Sequence, residues 1–364
     1  MRHDGGARAT SYGAAIVGAR RGLHHWKAYE GLAPRMLVTA ICDVDPERRA
    51  EAAEATGLPV YTDYQEMLAR ERPDIVHAVT SPLVPRAPWV GLAAEAGVQA
   101  LVIEKPLALA PREADALLEA ARRTGLRVAV NHQRRYMPFA GKLLELLDDD
   151  QTGLGPVHFI RASTYGRVMD MSTHLLDLAL LAVGDEPPSH VWAVAEGYEE
   201  HPWYPGPSQM AATFTFPGGA RVLYEASPES RPPFGTRTFD FEPPSTMPSY
   251  GPHRMHLDVW AEHGRFWWRE WGTWGYEVRG RPPYTAPTAF VVDDLPAQRA
   301  FTSAVADWIE GTPHRCRLDI ARIGFDALQG AQRSALLGRR LSFPEAARLS
   351  GDEHTAFLLS LIHI

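Results

Sequence analysis

The first third of the chain alternates short apolar runs with longer amphipathic stretches. The apolar runs are residues 14–18, 37–42, 75–79, 101–103 and 128–130, and the amphipathic stretches are residues 46–55, 64–70, 89–96 and 111–124. Continuously apolar runs are typical of strands buried on both faces, and helices between such strands are typical of βαβ units. The pattern therefore predicts an α/β domain over residues 12–131, built on a doubly wound parallel sheet.

The pattern changes after residue 131, where the apolar stretches become longer and richer in strand-forming residues. These stretches are residues 157–165, 190–197, 210–216, 220–226 and 255–260. We expect an α+β domain over residues 132–345 with an open, mostly antiparallel sheet. A helix over residues 170–183 and two closing helices within 297–337, interrupted at Gly311-Thr312-Pro313, complete the predicted domain.

Three proline-rich stretches and the C-terminal segment fall outside these elements. Residues 202–207, 231–248 and 281–287 are predicted to be long loops, either binding loops or solvated surface excursions. Residues 351–364 follow a polar break, and their last part, 359–364, resembles the translation of a sequencing adapter. We expect residues 351–364 to form a tail outside the fold, partly an artefact of gene assembly.

Composition excludes several classes of function. The chain has 364 residues, which favours two domains, and 45% of its residues are hydrophobic and 22% charged. A net charge of −7 argues against a nucleic-acid groove, which needs a basic surface. Two cysteines, Cys42 and Cys316, are too few for a disulfide framework and favour a reducing compartment. No apolar run approaches the roughly 18–20 residues of a membrane span, so we expect a cytoplasmic protein that acts on small molecules.

The first predicted strand runs into a glycine-rich turn, which consists of Gly18, Ala19, Arg20, Arg21 and Gly22. Such a turn lets the N–H groups at a helix N-terminus face a pyrophosphate. The turn departs from the G-x-G-x-x-G pattern, because it is one residue short or has lost a glycine. Dinucleotide binding and an ordinary strand-to-helix turn both remain open for this segment.

Asp43 ends the second predicted strand, about 25 residues after Gly18. A carboxylate at this spacing hydrogen-bonds the adenosine ribose in dinucleotide-binding domains, and it repels the 2′-phosphate of NADP. Asp43 therefore favours NAD over NADP. Two alternatives stay open: Asp43 opens a turn before Pro46, or nearby arginines (Arg20, Arg21, Arg48, Arg49) accept a 2′-phosphate.

Three further residues combine to suit proton transfer. Lys105 follows an apolar run, where a parallel strand ends and α/β sheets bind ligands. Asp170 and His174 are four residues apart and share a helix face. His174 suits a general base, Asp170 would orient the imidazole, and the Lys105 ammonium would stabilise a developing alkoxide. The alternative for His174 is a hydrogen-bonded histidine at a domain interface.

These motifs resemble those of the Gfo/Idh/MocA family of NAD(P)-dependent oxidoreductases, and the resemblance covers most of the chain. The motifs are the glycine-rich turn, Asp43, Glu104-Lys105-Pro106, the run Asn131-His132-Gln133-Arg134-Arg135-Tyr136, and D-x-S-x-H-x-x-D from Asp170 to Asp177. The resemblance implies an NAD(P)-binding Rossmann domain over residues 12–131 and a substrate-binding and oligomerisation domain over 132–345. It also implies that Lys105, Asp170 and His174 are catalytic.

The resemblance extends to further contacts and shows two departures. It implies cofactor contacts from Thr80, Pro82, Glu104 and Lys105, and a Lys105-Pro106 bond that is often cis in relatives. Arg134 and Asp177 are candidate substrate-binding residues, with purely structural roles as the alternative. The departures are Arg86, where the family often has histidine, and Ser172, where glycine is common and serine is expected to narrow the pocket.

The predicted activity is hydride transfer between NAD, or alternatively NADP, and a secondary alcohol of a sugar, cyclitol or sugar derivative; the resemblance implies this substrate class. The alternatives are an NAD-assisted lyase or glycosidase and a non-catalytic nucleotide-sensing regulator. No metal site is expected: His24-His25 lies on the helix after the glycine-rich turn, and His253, His256 and His263 lack the carboxylate or cysteine partners of a metal motif.

Aromatic residues between 260 and 276 predict an exposed sheet face that forms a homodimer or homotetramer. Two alternatives stay open. The loop at 231–248 would cover the same face within one chain, or the aromatic side chains would stack on sugar rings.

Overall fold

The computed structural model describes residues 11–203, 205–227, 254–347 and 349–362. The chain divides into two compact units. The first unit comprises the residues up to Glu104 together with Ala116–Asn131 and Gln298–Arg317, and the second comprises Lys105–Asp115, His132–Ala297 and the residues from Leu318 onward. One boundary between the units lies between Asn131 and His132. Residues 298–317 were expected in the second domain but belong to the first unit, where Val130 N–H donates to Cys316 O at 2.9 Å.

The first unit is built on a six-stranded parallel sheet. Its strands are β1 (Tyr12–Val17), β2 (Met36–Cys42), β3 (Val60–Tyr61), β4 (Ile75–Ala78), β5 (Ala100–Ile103) and β6 (Arg127–Val130). The spatial order is β3-β2-β1-β4-β5-β6, so the winding direction reverses between β1 and β4. Ligands of doubly wound sheets bind at the carboxyl ends of the strands at such a reversal.

Helices connect the strands of this sheet. They are α1 (Ala19–Glu30), α2 (Pro46–Thr56), α3 (Tyr64–Glu71), α4 (Ala87–Glu95) and α5 (Pro111–Thr124). Local sequence sets their ends: Asp45 accepts hydrogen bonds from the N–H groups of Glu47 and Arg48 and so caps α2, with Pro46 in its first turn. Gly57 ends α2 at φ 68°, a left-handed conformation that glycine adopts without steric cost.

The second unit is built on a nine-stranded sheet. Its strands are β7 (Val157–Tyr165), β8 (His190–Glu199), β9 (Gly206–Thr215), β10 (Arg221–Ser227), β11 (Arg254–Ala261), β12 (Gly264–Arg269), β13 (Trp271–Val278), β14 (Tyr284–Ala289) and β15 (Leu341–Ser342). The order is β14-β13-β12-β11-β7-β10-β9-β8-β15, and β7 with β10 is the parallel pair among antiparallel neighbours. The predicted open, mostly antiparallel sheet is confirmed.

One face of this sheet is covered by helices. The helices assigned after α5 are α6 (Pro138–Asp148), α7 (Val168–Ala182), α8 (Phe290–Ile309), α9 (Leu318–Leu337) and α10 (Gly351–Ile362), with a 3₁₀ turn at Gln133–Tyr136. Buried residues alternate along β10, as expected for a strand with one face in the core. The core joins α7 to the sheet, and Phe139 stacks on Trp268 with ring centroids 4.3 Å apart.

Two sequence predictions about the second unit are wrong. Strand β14 includes most of the proline-rich stretch 281–287, predicted to be a loop. Because β14 forms the edge of the sheet, no further strand needs a hydrogen bond from Pro287, which has no N–H group. Residues 351–362 form α10 rather than a tail outside the fold, because Phe357 and Leu361 are buried and Glu353 pairs with Arg333 at 2.9 Å.

The loop predicted over residues 231–248 lies outside the described residues. Among the helices that the structure describes, none is both long and apolar enough to cross a lipid bilayer.

Candidate functional site

Gly18 makes the sharp turn between β1 and α1. Its φ is 94°, and a Cβ atom there would lie 2.2 Å from the carbonyl oxygen of Val79. Only glycine therefore allows the turn to pass so close to the end of β4. The first turn of α1 consequently lies at the carboxyl ends of the central strands, where the sheet reverses direction. The N-terminus of a helix in this position suits a phosphate group.

Asp43 lies at the end of β2, next to the same turn. Its Oδ2 accepts a hydrogen bond from Ala19 N–H at 2.7 Å, and its Oδ1 accepts one from Asp45 N–H at 2.9 Å. The residue is 6% exposed, so these two bonds hold the carboxylate in one orientation. Each oxygen keeps a second lone pair for a ribose hydroxyl. Asp45 caps α2, and the bond from Asp45 N–H to Asp43 is the turn considered as the alternative role for Asp43, so both roles stay open.

The arginines near Asp43 divide into two pairs. Arg48 Nε lies 3.4 Å from Asp45 Oδ2, and Arg49 Nη1 donates to the backbone oxygens of Asp43 and Val44, both at 2.9 Å. Both guanidinium groups are thus held by the β2–α2 connection. Arg20 and Arg21, in the first turn of α1, are exposed.

Two further predicted cofactor residues, Thr80 and Pro82, follow β4 at the sheet reversal. The hydroxyl oxygen of Thr80 is buried and has no hydrogen-bond partner among the described residues. A buried hydroxyl without a partner is unfavourable, so this atom is suited to a bound polar group. Gly18, Asp43 and Thr80 together fit a dinucleotide at the carboxyl edge of the sheet.

Glu104 follows β5 and is buried, but its carboxylate has partners. Oε1 lies 3.0 Å from His25 Nε2 and accepts a hydrogen bond from Asn131 Nδ2 at 2.8 Å. Burial alone would raise the pKa of Glu104, but the His25 hydrogen bond and the Arg21 charge outweigh burial and hold that pKa well below its usual range. Glu104 is therefore an anion inside the first unit, and nothing in these contacts ties it to the cofactor.

Lys105 and Asp170 meet in the second unit, although they are 65 positions apart. Lys105 Nζ forms an ion pair with Asp170 Oδ1 and also lies 3.4 Å from the backbone oxygen of Asp170. The two side chains are 11% and 19% exposed, so the pair is partly shielded from solvent. Asp170 is in the first turn of α7, and the Lys105-Pro106 bond is cis. Asp170 thus holds the lysine, a role that the sequence did not predict.

His174 lies one turn further along α7 and is buried. Its ring packs edge-on against His132, with the centroids 5.6 Å apart. His132 Nδ1 lies 3.8 Å from Asp177 Oδ2, which accepts a hydrogen bond from Arg135 Nε at 2.7 Å. Arg135 also binds Asp185, so a chain of polar side chains extends behind His174. The sequence did not predict the roles of His132 and Arg135, although both lie in the recognised run 131–136.

Arg134 and Asp177, the other predicted substrate residues, occupy buried ion pairs. Arg134 Nη2 donates to Glu270 Oε1 at 2.8 Å, and their side chains are 5% and 2% exposed. Asp177 is bound by Arg135, as described above. These contacts favour the structural alternative for both residues, and their assignment as substrate-binding residues stays a prediction. Each of these buried charges has an opposite charge beside it, because burying a charge without a partner is costly.

The two departures from the family pattern have different surroundings. Ser172 is fully buried, and its hydroxyl contacts Val168 O and the hydroxyl of Tyr224. These contacts place the Ser172 side chain against β10, and the expectation that it narrows the pocket stays a prediction. Arg86 is 7% exposed and immediately precedes α4.

Residues 12–132 match the family described as an oxidoreductase family with an NAD-binding Rossmann fold, designated GFO_IDH_MocA. This part of the chain belongs to the Gfo/Idh/MocA family. The family and the NAD-binding domain predicted from the sequence are confirmed for the matched residues, and the glycine-rich turn is part of that domain.

Several curated Gfo/Idh/MocA-type relatives are similar to parts of the chain. The D-apiose dehydrogenase of Paraburkholderia graminis is 32% identical over 191 residues, 47% of this chain and 49% of that protein. The UDP-N-acetylglucosamine 3-dehydrogenase of Acidithiobacillus ferrooxidans is 31% identical over 160 residues, 41% and 48% of the two chains. The inositol 2-dehydrogenase of Rhizobium meliloti is 29% identical over 188 residues, 48% and 56% of the two chains. The chain thus spans about half the length of these relatives.

Solved structures show the same fold over most of the chain. An oxidoreductase from Agrobacterium radiobacter, in complex with NAD⁺, L-tartaric acid and magnesium, has a TM-score of 0.75 and 17% identity, covering 92% of this chain and 98% of that one. The structure described as a myo-inositol dehydrogenase from Sinorhizobium meliloti has a TM-score of 0.71 and 19% identity, covering 91% and 99%. The predicted combination of a Rossmann domain and a mostly antiparallel sheet domain is confirmed.

Proposed function

We propose that this protein is an NAD-dependent dehydrogenase or reductase that acts on a secondary alcohol of a sugar, cyclitol or sugar derivative. The observation that carries the proposal is the ion pair between Lys105 and Asp170, with His174 one turn further along α7. Lys105 directly follows β5 and Glu104 of the NAD-binding sheet. The names of the relatives, which act on apiose, inositol and a nucleotide sugar, support the substrate class.

Lys105 suits the stabilisation of negative charge on the reacting oxygen. Its ammonium group has three donors, and the Asp170 carboxylate orients it. A hydrogen bond from this group to the substrate oxygen strengthens as the oxygen gains negative charge. Asp170 therefore acts through Lys105, as a positioning residue.

His174 suits the transfer of the hydroxyl proton. In the oxidative direction its neutral imidazole accepts that proton while the carbon–oxygen single bond becomes a carbonyl. Bound NAD supplies the chemistry of hydride acceptance. The ring of His132 packs edge-on against the imidazole of His174, and His132 in turn lies near Asp177, so these residues help to hold the imidazole in place. In the reductive direction the same residue returns the proton.

A spectrophotometric screen tests the activity. Purified protein is incubated with NAD or NADP and with free sugars, glycosides, inositols and nucleotide sugars, and nicotinamide absorbance is followed. Accumulating NADH identifies a dehydrogenase. Product formation without net NADH identifies the NAD-assisted lyase or glycosidase. Tight NAD binding with no turnover of any substrate contradicts the proposal and favours a nucleotide-sensing regulator.

The same proposal includes a homo-oligomer formed through the sheet of the second unit. Trp192 and Val194 on β8 are 47% and 46% exposed, and they alternate with the buried residues Val191 and Ala193. Trp260 on β11 is 38% exposed. Strand register places Trp192 and Trp260 on the same outer face, away from the core. Large exposed aromatic residues on a continuous sheet face favour association with a second copy.

A reducing, cytoplasmic location also fits the cysteines. Cys42 and Cys316 are both buried thiols, and burial raises the pKa of the Cys42 thiol to about 11. Such thiols are chemically inert and do not require an oxidising compartment.

A further inference from the structure

Three side chains that can bind metal ions converge inside the first unit. They are His25 on α1, His77 on β4 and Glu104 at the end of β5. One potential ligand atom from each lies within 4.8 Å of the others. Both histidines are fully buried, and Glu104 is 7% exposed. The sequence predicted no metal site, because residues 25, 77 and 104 form no recognisable spacing.

The hydrogen bonds of this cluster are incomplete. His25 Nδ1 and both ring nitrogens of His77 are buried without a hydrogen-bond partner among the residues that the structure describes. A buried imidazole has one donor and one acceptor nitrogen to satisfy, and leaving them unpaired is unfavourable. The fold nevertheless places His77 in the middle of the central sheet, where an aliphatic residue would fit without this cost.

The charges of the cluster suit a cation. His25 and His77 offer buried ring nitrogens to such an ion, and burial lowers the pKa of both histidines. The carboxylate of Glu104 remains ionised, as described above. Neutral imidazole and ionised carboxylate are the forms that bind metal ions. Arg21 is the opposing charge nearby, and Asn131 competes for Glu104 Oε1.

We propose that His25, His77 and Glu104 form a buried binding site for a divalent transition-metal ion, and that zinc fits this donor set best. Two imidazole nitrogens and one carboxylate oxygen are a known zinc-binding combination, and imidazole favours zinc over magnesium or calcium. The ion would balance the buried charge of Glu104 and join α1, β4 and the end of β5. None of these three residues is among the proposed catalytic residues, so the role proposed for the ion is to hold these elements together.

The rival explanation is a dry hydrogen-bonded cluster. In that arrangement His25 donates to Glu104 Oε1, which lies 3.0 Å away, and His77 packs against the neighbouring rings of His25 and Tyr29. Such a cluster would gain nothing from a metal ion. Replacing His77 by leucine separates the two explanations, because it removes a ligand and retains the His25–Glu104 contact.

Metal binding is measured on the full chain without an affinity tag, after chelator treatment. The protein is equilibrated with Zn²⁺ in the presence of a competing chelator and its metal content is determined by elemental analysis. We expect the unaltered protein and the matched control His24→Ala to bind zinc equally. His77→Leu and Glu104→Gln should weaken zinc binding by more than about tenfold, since even outer contacts of metal sites cause losses of that size.

Visible absorption with cobalt(II) and the Tm with zinc are two further measurements of the site. Cobalt(II) should give the intense visible absorption of a tetrahedral site in the unaltered protein but not in His77→Leu. Zinc should raise the Tm of the unaltered protein and of His24→Ala, and leave that of His77→Leu unchanged. Circular dichroism establishes that each variant is folded. Equal zinc retention by the unaltered protein and His77→Leu, or no Tm shift in either, would overturn the proposal in favour of the dry cluster.

Discussion

Lys105 Nζ is held from two sides by one residue: it pairs with the carboxylate of Asp170 and lies 3.4 Å from the backbone oxygen of Asp170. The pair joins a residue that directly follows β5 to the first turn of α7. The carboxylate orients the ammonium donors, an arrangement that suits the stabilisation of negative charge. In the proposed mechanism, His174 accepts the proton.

Removing either member of the pair should reduce turnover without removing the cofactor site. We expect Lys105→Ala to lower kcat by roughly two to four orders of magnitude, the range for positioned acid–base and charge-stabilising groups. Asp170→Asn should cause a smaller loss, because the lysine remains but is less well held. Steady-state kinetics on the substrate from the screen and NAD titration calorimetry provide the measurements. Lys27→Ala, an exposed lysine on α1, is the matched control.

His174→Ala should lower kcat by roughly two to four orders of magnitude, as expected for the loss of a general base. NAD affinity should be retained, because His174 belongs to the second unit. His132→Gln should retain more activity than His174→Ala and change the pH dependence of kcat, since His132 acts through its neighbour. Near-normal turnover in His174→Ala would show that another group takes the proton.

Asp43 should determine the preference between NAD and NADP. Asp43→Asn removes the charge that repels a 2′-phosphate and keeps one acceptor for the N–H groups of Ala19 and Asp45. We expect the ratio of kcat/KM for NAD over NADP to fall by about tenfold, which corresponds to about 1.4 kcal/mol. An intrinsic NADP preference in the unaltered protein would contradict the assignment and direct attention to Arg20 and Arg21.

Stability should depend on the titration of His314 below neutral pH. Burial lowers the pKa of His314 to about 4, and its ring bonds Phe301 O at 3.1 Å and the N–H of Cys316 at 3.0 Å. The unfolded chain therefore binds a proton below pH about 6.5, while the folded protein does not until pH about 4. The contribution of His314 to the free energy of unfolding is therefore fully present above pH about 6.5. Between pH about 6.5 and about 4 it declines by about 1.4 kcal/mol per pH unit.

Urea unfolding at several pH values measures this contribution. His314→Gln should flatten the decline in the free energy of unfolding between pH about 6.5 and 4, because the proton-binding group is absent. His158→Gln, a change of an exposed histidine on β7, is the control and should keep the slope of the unaltered protein. An unchanged slope in His314→Gln would show that His314 does not titrate differently in the two states.

The exposed sheet face should mediate self-association. Light scattering at micromolar concentration should give a mass of two or four chains, and Trp192→Glu should shift the mass toward 40.3 kDa. Val292→Glu changes a side chain that is 67% exposed but lies on α8, outside the sheet, and should leave the mass unchanged. A mass of one chain for the unaltered protein would show that this face is not an interface.

Much of the first unit could be predicted from local sequence. The alternation of apolar runs and amphipathic stretches depends on residues that are close together in the chain, and so do caps such as Asp45 and Gly57. Asp170 and His174 share α7 because four residues make about one helical turn. Strand β14 was missed because proline usually ends a strand, and only the strand order shows that β14 is an edge.

The partners of the charged residues were decided by the tertiary structure. Asp170 binds Lys105 across 65 positions, and Arg134 binds Glu270 across 136. His25, His77 and Glu104 likewise meet because α1, β4 and β5 are brought together by the sheet order. Periodicity describes which face a side chain occupies but contains no information about the element that will lie opposite it. Sequence therefore determined which groups were available for chemistry, and chain topology decided which of them pair, because pairing requires atoms within a few ångströms.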